Sequence, residues 1–144
     1  MSNINFFKSE RLPGLDPRWP YRPIRILLVD EDKAFGDTLA NRLMKRDFAV
    51  SQVYSSADGI HLLQRAYFDI AILDPGVDIL DRVEGFKRTA PDMPVIVLTQ
   101  QGSTETTKEA MAFGAFDFLS KPFELEELLG KITSAYHWEE EPIE

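Results

Sequence analysis

The chain contains no cysteine. It can therefore hold no disulfide framework, no thiolate metal site and no cysteine nucleophile, and nothing in it points to an oxidising compartment. Long hydrophobic runs are missing as well. The longest apolar stretches are strand-sized, and the N-terminus lacks a basic stretch followed by an apolar one, so neither a membrane-crossing helix nor a signal peptide is expected. Basic residues are outnumbered, with 16 Lys and Arg against 24 Asp and Glu for a net charge of −8. Direct nucleic acid binding needs clustered cations and is not expected. Histidine is scarce, and His61 and His137 stand without metal-ligand neighbours, so solvated side chains are the reading for both. These absences together describe a cytoplasmic protein with no membrane partner.

What is present is enough for one domain: 144 residues, 44% of them hydrophobic, can bury a sizeable core. Residues 1–23 carry Pro13, Pro17, Pro20 and Pro23 without a sustained period and read as an extended arm outside the regular fold. Phe6, Phe7 and Trp19 in this arm are expected on the domain's own surface. Residues 138–144 form an acidic tail with Glu139, Glu140 and Glu141. Between them, residues 24–137 alternate strand and helix signals. Ile24–Val29, Ile70–Leu73 and Val95–Leu98 are nearly continuous apolar runs, as strands buried on both faces of a parallel sheet require. Phe48–Val53 is more polar and Ala115–Leu119 carries Asp117, which places both nearer the edges.

Helical patterns separate these five strands. Their apolar stripes are Phe35, Leu39 and Leu43; Ile60, Leu63 and Ala66; Ile79, Val83 and Phe86; Met111 within Ser103–Phe113; and Leu125, Leu128, Leu129, Ile132 and Ala135. The last helix carries Glu124, Glu126 and Glu127 in its first turn, where they suit the helix dipole. The fold class is α/β: a doubly wound, five-stranded parallel sheet with helices on both faces. Its ligand crevice should lie beyond the carboxyl ends of the strands.

Chemistry-bearing residues gather at those ends. The first central strand runs into Asp30, Glu31 and Asp32, and the second ends on Asp74. Helix N-capping ahead of Phe35 accounts for one of Asp30 and Asp32, not for all four acids. Carboxylates crowded in one crevice repel each other unless a cation joins them, and oxygen donors of this kind suit Mg²⁺. Thr99 ends the third central strand, and Ser120, Lys121 and Pro122 follow the last. Phosphoryl transfer to Asp74 needs a divalent cation, a lysine charge on the phosphoryl oxygens and a positioned hydroxyl, and this set supplies all three.

The segments Ile26-Leu27-Leu28-Val29-Asp30-Glu31-Asp32, Phe68-Asp69-Ile70-Ala71-Ile72-Leu73-Asp74, Pro94-Val95-Ile96-Val97-Leu98-Thr99 and Gly114-Ala115-Phe116-Asp117-Phe118-Leu119-Ser120-Lys121-Pro122-Phe123 carry a resemblance. From Ile24 to about Tyr136 the chain resembles the receiver domain of two-component response regulators, the CheY-like superfamily. That resemblance implies a flavodoxin-like strand order 2-1-3-4-5 and Asp74 as phosphoacceptor. It further implies Asp30 and Glu31 as the acidic pair at a Mg²⁺ site completed by Asp74 and the Gly76 main-chain carbonyl. Thr99 becomes the switch hydroxyl, Lys121 the contact to the phosphoryl group and Phe118 the switch aromatic, and the Lys121-Pro122 bond is expected to be cis. The donor would be a sensor histidine kinase, a phosphotransfer protein or a small phosphodonor such as acetyl phosphate. The recipient of the signal would be a downstream protein or a fused output domain, reading the surface of the fourth helix, last strand and last helix. The same face could pair two copies. Such a domain catalyses only its own phosphorylation and dephosphorylation.

The sequence departs from that family after the acceptor. The family usually has a proline four residues on and a glycine about eight on, whereas Asp74-Pro75-Gly76-Val77-Asp78 leads almost directly into helix. The loop is shortened, and Pro75 restricts the geometry of Asp74. Gln100 and Gln101 stand where the family favours a small residue. Two alternatives follow. One is a degenerate, unphosphorylated receiver acting as a protein-interaction module. The other is a haloacid-dehalogenase-like phosphatase with Asp30 as nucleophile, which lacks the acidic pair that mechanism needs beyond Lys121.

Overall fold

The computed structural model describes residues 15–16, 19–74, 79–100 and 104–137. Five strands, β3 (Arg25–Asp30), β4 (Ala49–Val53), β5 (Ile70–Asp74), β6 (Val95–Thr99) and β7 (Asp117–Ser120), form one parallel sheet in the order β4-β3-β5-β6-β7. Numbered without the two short strands that precede them, this is the expected order 2-1-3-4-5. Five helices connect and follow them: α1 (Lys33–Met44), α2 (Ser56–Leu63), α3 (Ile79–Thr89), α4 (Thr104–Ala112) and α5 (Leu125–His137). None of the described helices is long and apolar enough to cross a membrane.

The continuous apolar runs explain the layering. Alternate side chains of one strand face opposite sides of a sheet, so a strand apolar at every position must be covered twice. Ile26 and Leu28 of β3 pack with Leu39 and Leu43 of α1 and with Leu128 and Ile132 of α5. Leu27 and Val29 of the same strand pack with Val83 and Phe86 of α3 and Ala110 of α4. The edge strands β4 and β7 are correspondingly less buried. Helix α4 corrects one expectation. Met111 is 40% exposed, and the residue it was expected to supply to the core is Ala110, fully buried one position earlier. The last strand also starts later than expected, because Gly114, at φ 106°, ends α4 in a left-handed turn that Ala115 N–H closes on Ala110 O at 3.0 Å.

Part of the N-terminal arm has regular structure. Residues Leu15–Asp16 (β1) and Trp19–Pro23 (β2) pair antiparallel as a separate ribbon outside the main sheet. Phe6, Phe7 and the tail from residue 138 lie outside the described residues, and the side chain of Trp19 is not described. The ribbon is tied to the sheet at the amino-terminal end of β5. Arg22 Nη2 donates to both carboxylate oxygens of Asp69 at 3.0 and 3.2 Å, and the Arg25 backbone N–H donates to Asp69 Oδ2 at 2.8 Å. Asp69 is 8% exposed, so its truncation strands two donors beside the sheet. Asp69→Ala is expected to cost about 2–3 kcal/mol and Arg22→Ala only about 1, since Arg22 is partly solvated. Urea unfolding of both variants checks the ranking, and equal losses would contradict it.

Candidate functional site

Parallel register brings the acids together. Asp30, the last residue of β3, is the pairing partner of Asp74, the last residue of β5. Asp30 is 1% exposed. Its Oδ1 accepts the Asp32 backbone N–H at 2.8 Å, while its Oδ2 is buried with no hydrogen-bond partner among the described residues. Burial raises the Asp30 pKa from 3.8 to about 6, and the charges of Asp74 and Asp32 push the same way, partly offset by the Asp32 N–H and the Lys121 ammonium. Gly36 packs closely over Asp30. A Cβ at this position of α1 would lie 3.0 Å from Gln52 Nε2 and 3.3 Å from Asp30 Cβ, so a larger residue would require the Gln52 amide and the carboxylate-bearing strand end to give by a few tenths of an ångström.

Lys121 reaches in from the end of β7 and forms an ion pair with Asp74 Oδ2. Its backbone N–H donates to Thr99 O at 2.8 Å, extending the β6–β7 ladder and fixing the side chain's root beside the crevice; the Lys121-Pro122 bond is cis. Its ammonium also lies 4.0 Å from the centre of the Phe35 ring, itself edge-on to Phe123, a cation–π contact that holds the side chain over the crevice. Thr99, 3% exposed at the end of β6, shares a 3.3 Å hydrogen bond between its Oγ1 and Ser120 Oγ.

The remaining expected residues fall in different places. Asp32 is the cap of α1: its Oδ1 accepts the Phe35 N–H at 3.1 Å. Glu31 faces Arg82 of α3, whose Nη1 donates to Glu31 Oε2 at 2.6 Å. Phe118 is half-buried on β7 with the Lys131 ammonium 5.9 Å from its ring centre, and Lys131 also pairs with Asp117 at 2.9 Å. Gln100 is exposed, while Gly76 and Gln101 lie outside the described residues. The sequence reading brought together Asp30, Asp74, Thr99 and Lys121, and missed Phe35, Gly36, Arg82 and Ser120. Phe35 had been counted only as part of an apolar stripe. For Arg82 the signal was the short connection after Asp74, which brings the first turns of α3 close to the crevice.

The family model of the response regulator receiver domain matches residues 26–133. The chain belongs to that family. The receiver is 33% identical over 114 residues to transcriptional regulatory protein TctD of Salmonella typhimurium, covering 77% of this chain and 51% of that protein. It is 34% identical over 118 residues to transcriptional regulatory protein GlrR of Escherichia coli, covering 80% of this chain and 27% of that one. Among solved structures it is similar to a CheY-like receiver domain protein from Methanospirillum hungatei, with a TM-score of 0.75, 26% identity, and 81% and 96% of the two chains covered. A receiver domain protein from Clostridium thermocellum gives a TM-score of 0.75, 26% identity, and coverage of 81% and 97%. The chain thus spans about half the length of TctD and nearly the whole of the two receiver domains. Receivers of this family are signalling modules of two-component systems.

The buried Asp30 sets a pH dependence. Its carboxyl binds a proton more tightly in the folded chain, near 6, than in the unfolded one, near 3.8. Without metal, stability therefore falls as pH rises between those values, and the ionised carboxylate is a net cost at pH 7. In the presence of a chelator, Asp30→Asn is expected to stabilise the receiver by about 1–2 kcal/mol at pH 7, allowing for water at the crevice mouth. The gain should vanish near pH 4. Urea unfolding at both pH values decides, and an equal effect at each would contradict the burial argument.

Proposed function

We propose that this receiver takes a phosphoryl group onto Asp74 and passes the resulting change of charge and shape to a protein that reads its surface. The observation that carries the reading is the convergence of Asp30, Asp74 and Lys121 at the carboxyl ends of three strands, with Thr99 at the end of a fourth. The donor is a sensor histidine kinase, a phosphotransfer protein or a small acyl phosphate. The recipient is a downstream protein or a fused output domain, in a cytoplasmic pathway with no direct role in nucleic acid or membrane binding.

In the transfer, an Asp74 oxygen attacks phosphorus in line. The P–N bond of a phosphohistidine, or the P–O bond of acetyl phosphate, breaks, and its electron pair leaves with imidazole or acetate. Water later attacks the acyl phosphate, restoring Asp74 and releasing inorganic phosphate. Lys121, already paired with Asp74, provides a point charge for the phosphoryl oxygens, and the Thr99 hydroxyl provides a donor.

A divalent cation fits this site. Asp30 Oδ2 is a buried carboxylate oxygen without a hydrogen-bond partner, and Asp74 stands opposite it in register. Mg²⁺ keeps several waters and needs only a few protein oxygens. Asp30, Asp74, the Gly76 carbonyl and Glu31, once released by Arg82, would hold it. When bound, Mg²⁺ supplies charge neutralisation for the transfer.

Phosphorylation adds roughly one negative charge and three strong acceptors. Thr99 then turns from Ser120 to a phosphoryl oxygen, Phe118 moves into the space released, and the surface of α4, β7 and α5 tilts between two arrangements. That surface meets the partner and can also pair two receivers. The Glu31–Arg82 pair favours a second reading, an unphosphorylated interaction module, because it withdraws one acid from the cation.

Incubation with acetyl phosphate and Mg²⁺, followed by intact mass measurement, separates the two. One phosphate is expected on the unaltered chain, and none on Asp74→Asn or without metal. No adduct under rapid sampling, together with no Mg²⁺ binding, would favour the interaction module.

A further inference from the structure

Arg82 stands where nothing in the transfer chemistry requires it. It belongs to the first turns of α3, which begins at Ile79, with only four residues between it and the end of β5 at Asp74. Its Nη1 donates to Glu31 Oε2 at 2.6 Å and to Ser56 Oγ at 3.3 Å. The guanidinium thus joins the β3–α1 turn, the start of α2 and α3 across the mouth of the crevice. Its side chain is 21% exposed and that of Glu31 is 50% exposed, so the pair is partly shielded without being buried. Glu31 adjoins Asp30, whose buried Oδ2 has no hydrogen-bond partner among the described residues. One acid of the neighbouring pair is therefore neutralised by protein while the other is not.

We propose that Arg82 is a positioning residue that competes with the divalent cation for Glu31: the ion pair must open before Glu31 turns toward the metal. The inference rests on the reading of Glu31 as part of the cation site. Its physical content is an exchange of counter-ions. A guanidinium held by a charge-assisted hydrogen bond satisfies Glu31 when metal is scarce, which limits carboxylate repulsion at the strand ends and lowers metal affinity. Above the metal's dissociation constant the carboxylate changes partner, and the guanidinium stays tethered to Ser56 beside the crevice.

Calorimetric titration with Mg²⁺ tests this on the full chain, on Arg82→Gln, on Glu31→Gln and on the double variant, each shown to be folded by circular dichroism. Arg82→Gln is expected to tighten Mg²⁺ binding roughly two- to fivefold, the scale of a partly exposed ion pair. In the Glu31→Gln background the same substitution should change affinity little, because the competition is already gone. Unchanged or weaker binding by Arg82→Gln overturns the proposal. Equal tightening in both backgrounds also overturns it, since that would be through-space repulsion of the metal by the guanidinium. If neither the unaltered chain nor Arg82→Gln binds Mg²⁺, the cation site fails and this inference with it, an outcome distinct from equal affinities, which would sink only the role of Arg82. In the unaltered chain, the Arg82 Nε–H resonance should shift with the calorimetric midpoint, and a resonance unmoved at saturation overturns the competition even if the variants do not fold.

Discussion

Two carboxylates that end neighbouring strands in register cannot both be charged and sheltered from water unless a cation stands beside them. Asp30 and Asp74 are such a pair, and the rest of the crevice is arranged around the repulsion between them. Lys121 neutralises Asp74 from one side. Arg82 neutralises Glu31 from the other. Asp30 is left with a buried oxygen that no group among the described residues satisfies, and its pKa is raised chiefly by that burial. A site built this way is held short of electrostatic balance, a state that the proposed divalent cation or phosphoryl group would relieve.

The fold exists to hold that imbalance in place. A strand apolar on both faces, covered by α1 and α5 on one side and by α2, α3 and α4 on the other, gives the carboxyl ends a rigid base. Each polar group is then set by something local: Asp30 by the close approach of Gly36, Lys121 by its ladder bond to Thr99 and by the Phe35 ring. The opposite end of the sheet is treated differently. There Asp69 is also sheltered, but it is fully engaged by Arg22 and the Arg25 backbone, which anchors the N-terminal ribbon at that end. The same residue type is satisfied at one end of the sheet and left short of partners at the other, and the proposed function rests on that difference.

The order of the strands followed only from the family resemblance, but the strands themselves were legible in the sequence because period and composition report burial directly: Ile70–Leu73 and Val95–Leu98 admit few arrangements other than central parallel strands. The strand-end residues were legible for the same reason, since the end of an apolar run is itself a position in space. Contacts between distant segments were not. That Arg82 meets Glu31, that Phe35 underlies Lys121, and that Arg22 anchors a ribbon to Asp69 depend on how helices and loops pack, which no local period encodes. Met111 shows the limit in small. A weakly amphipathic helix left its apolar face ambiguous by one residue, and tertiary packing chose Ala110.

The central claim, an electrostatic deficit at Asp30 that a cation relieves, is tested most directly by following the Asp30 carboxyl carbon by NMR across pH, with and without Mg²⁺. The account predicts titration near 6 in the metal-free chain and a shift of the apparent midpoint down into the ordinary carboxylate range when Mg²⁺ is added. An Asp30 that titrates near 3.8 without metal and does not respond to Mg²⁺ would contradict it.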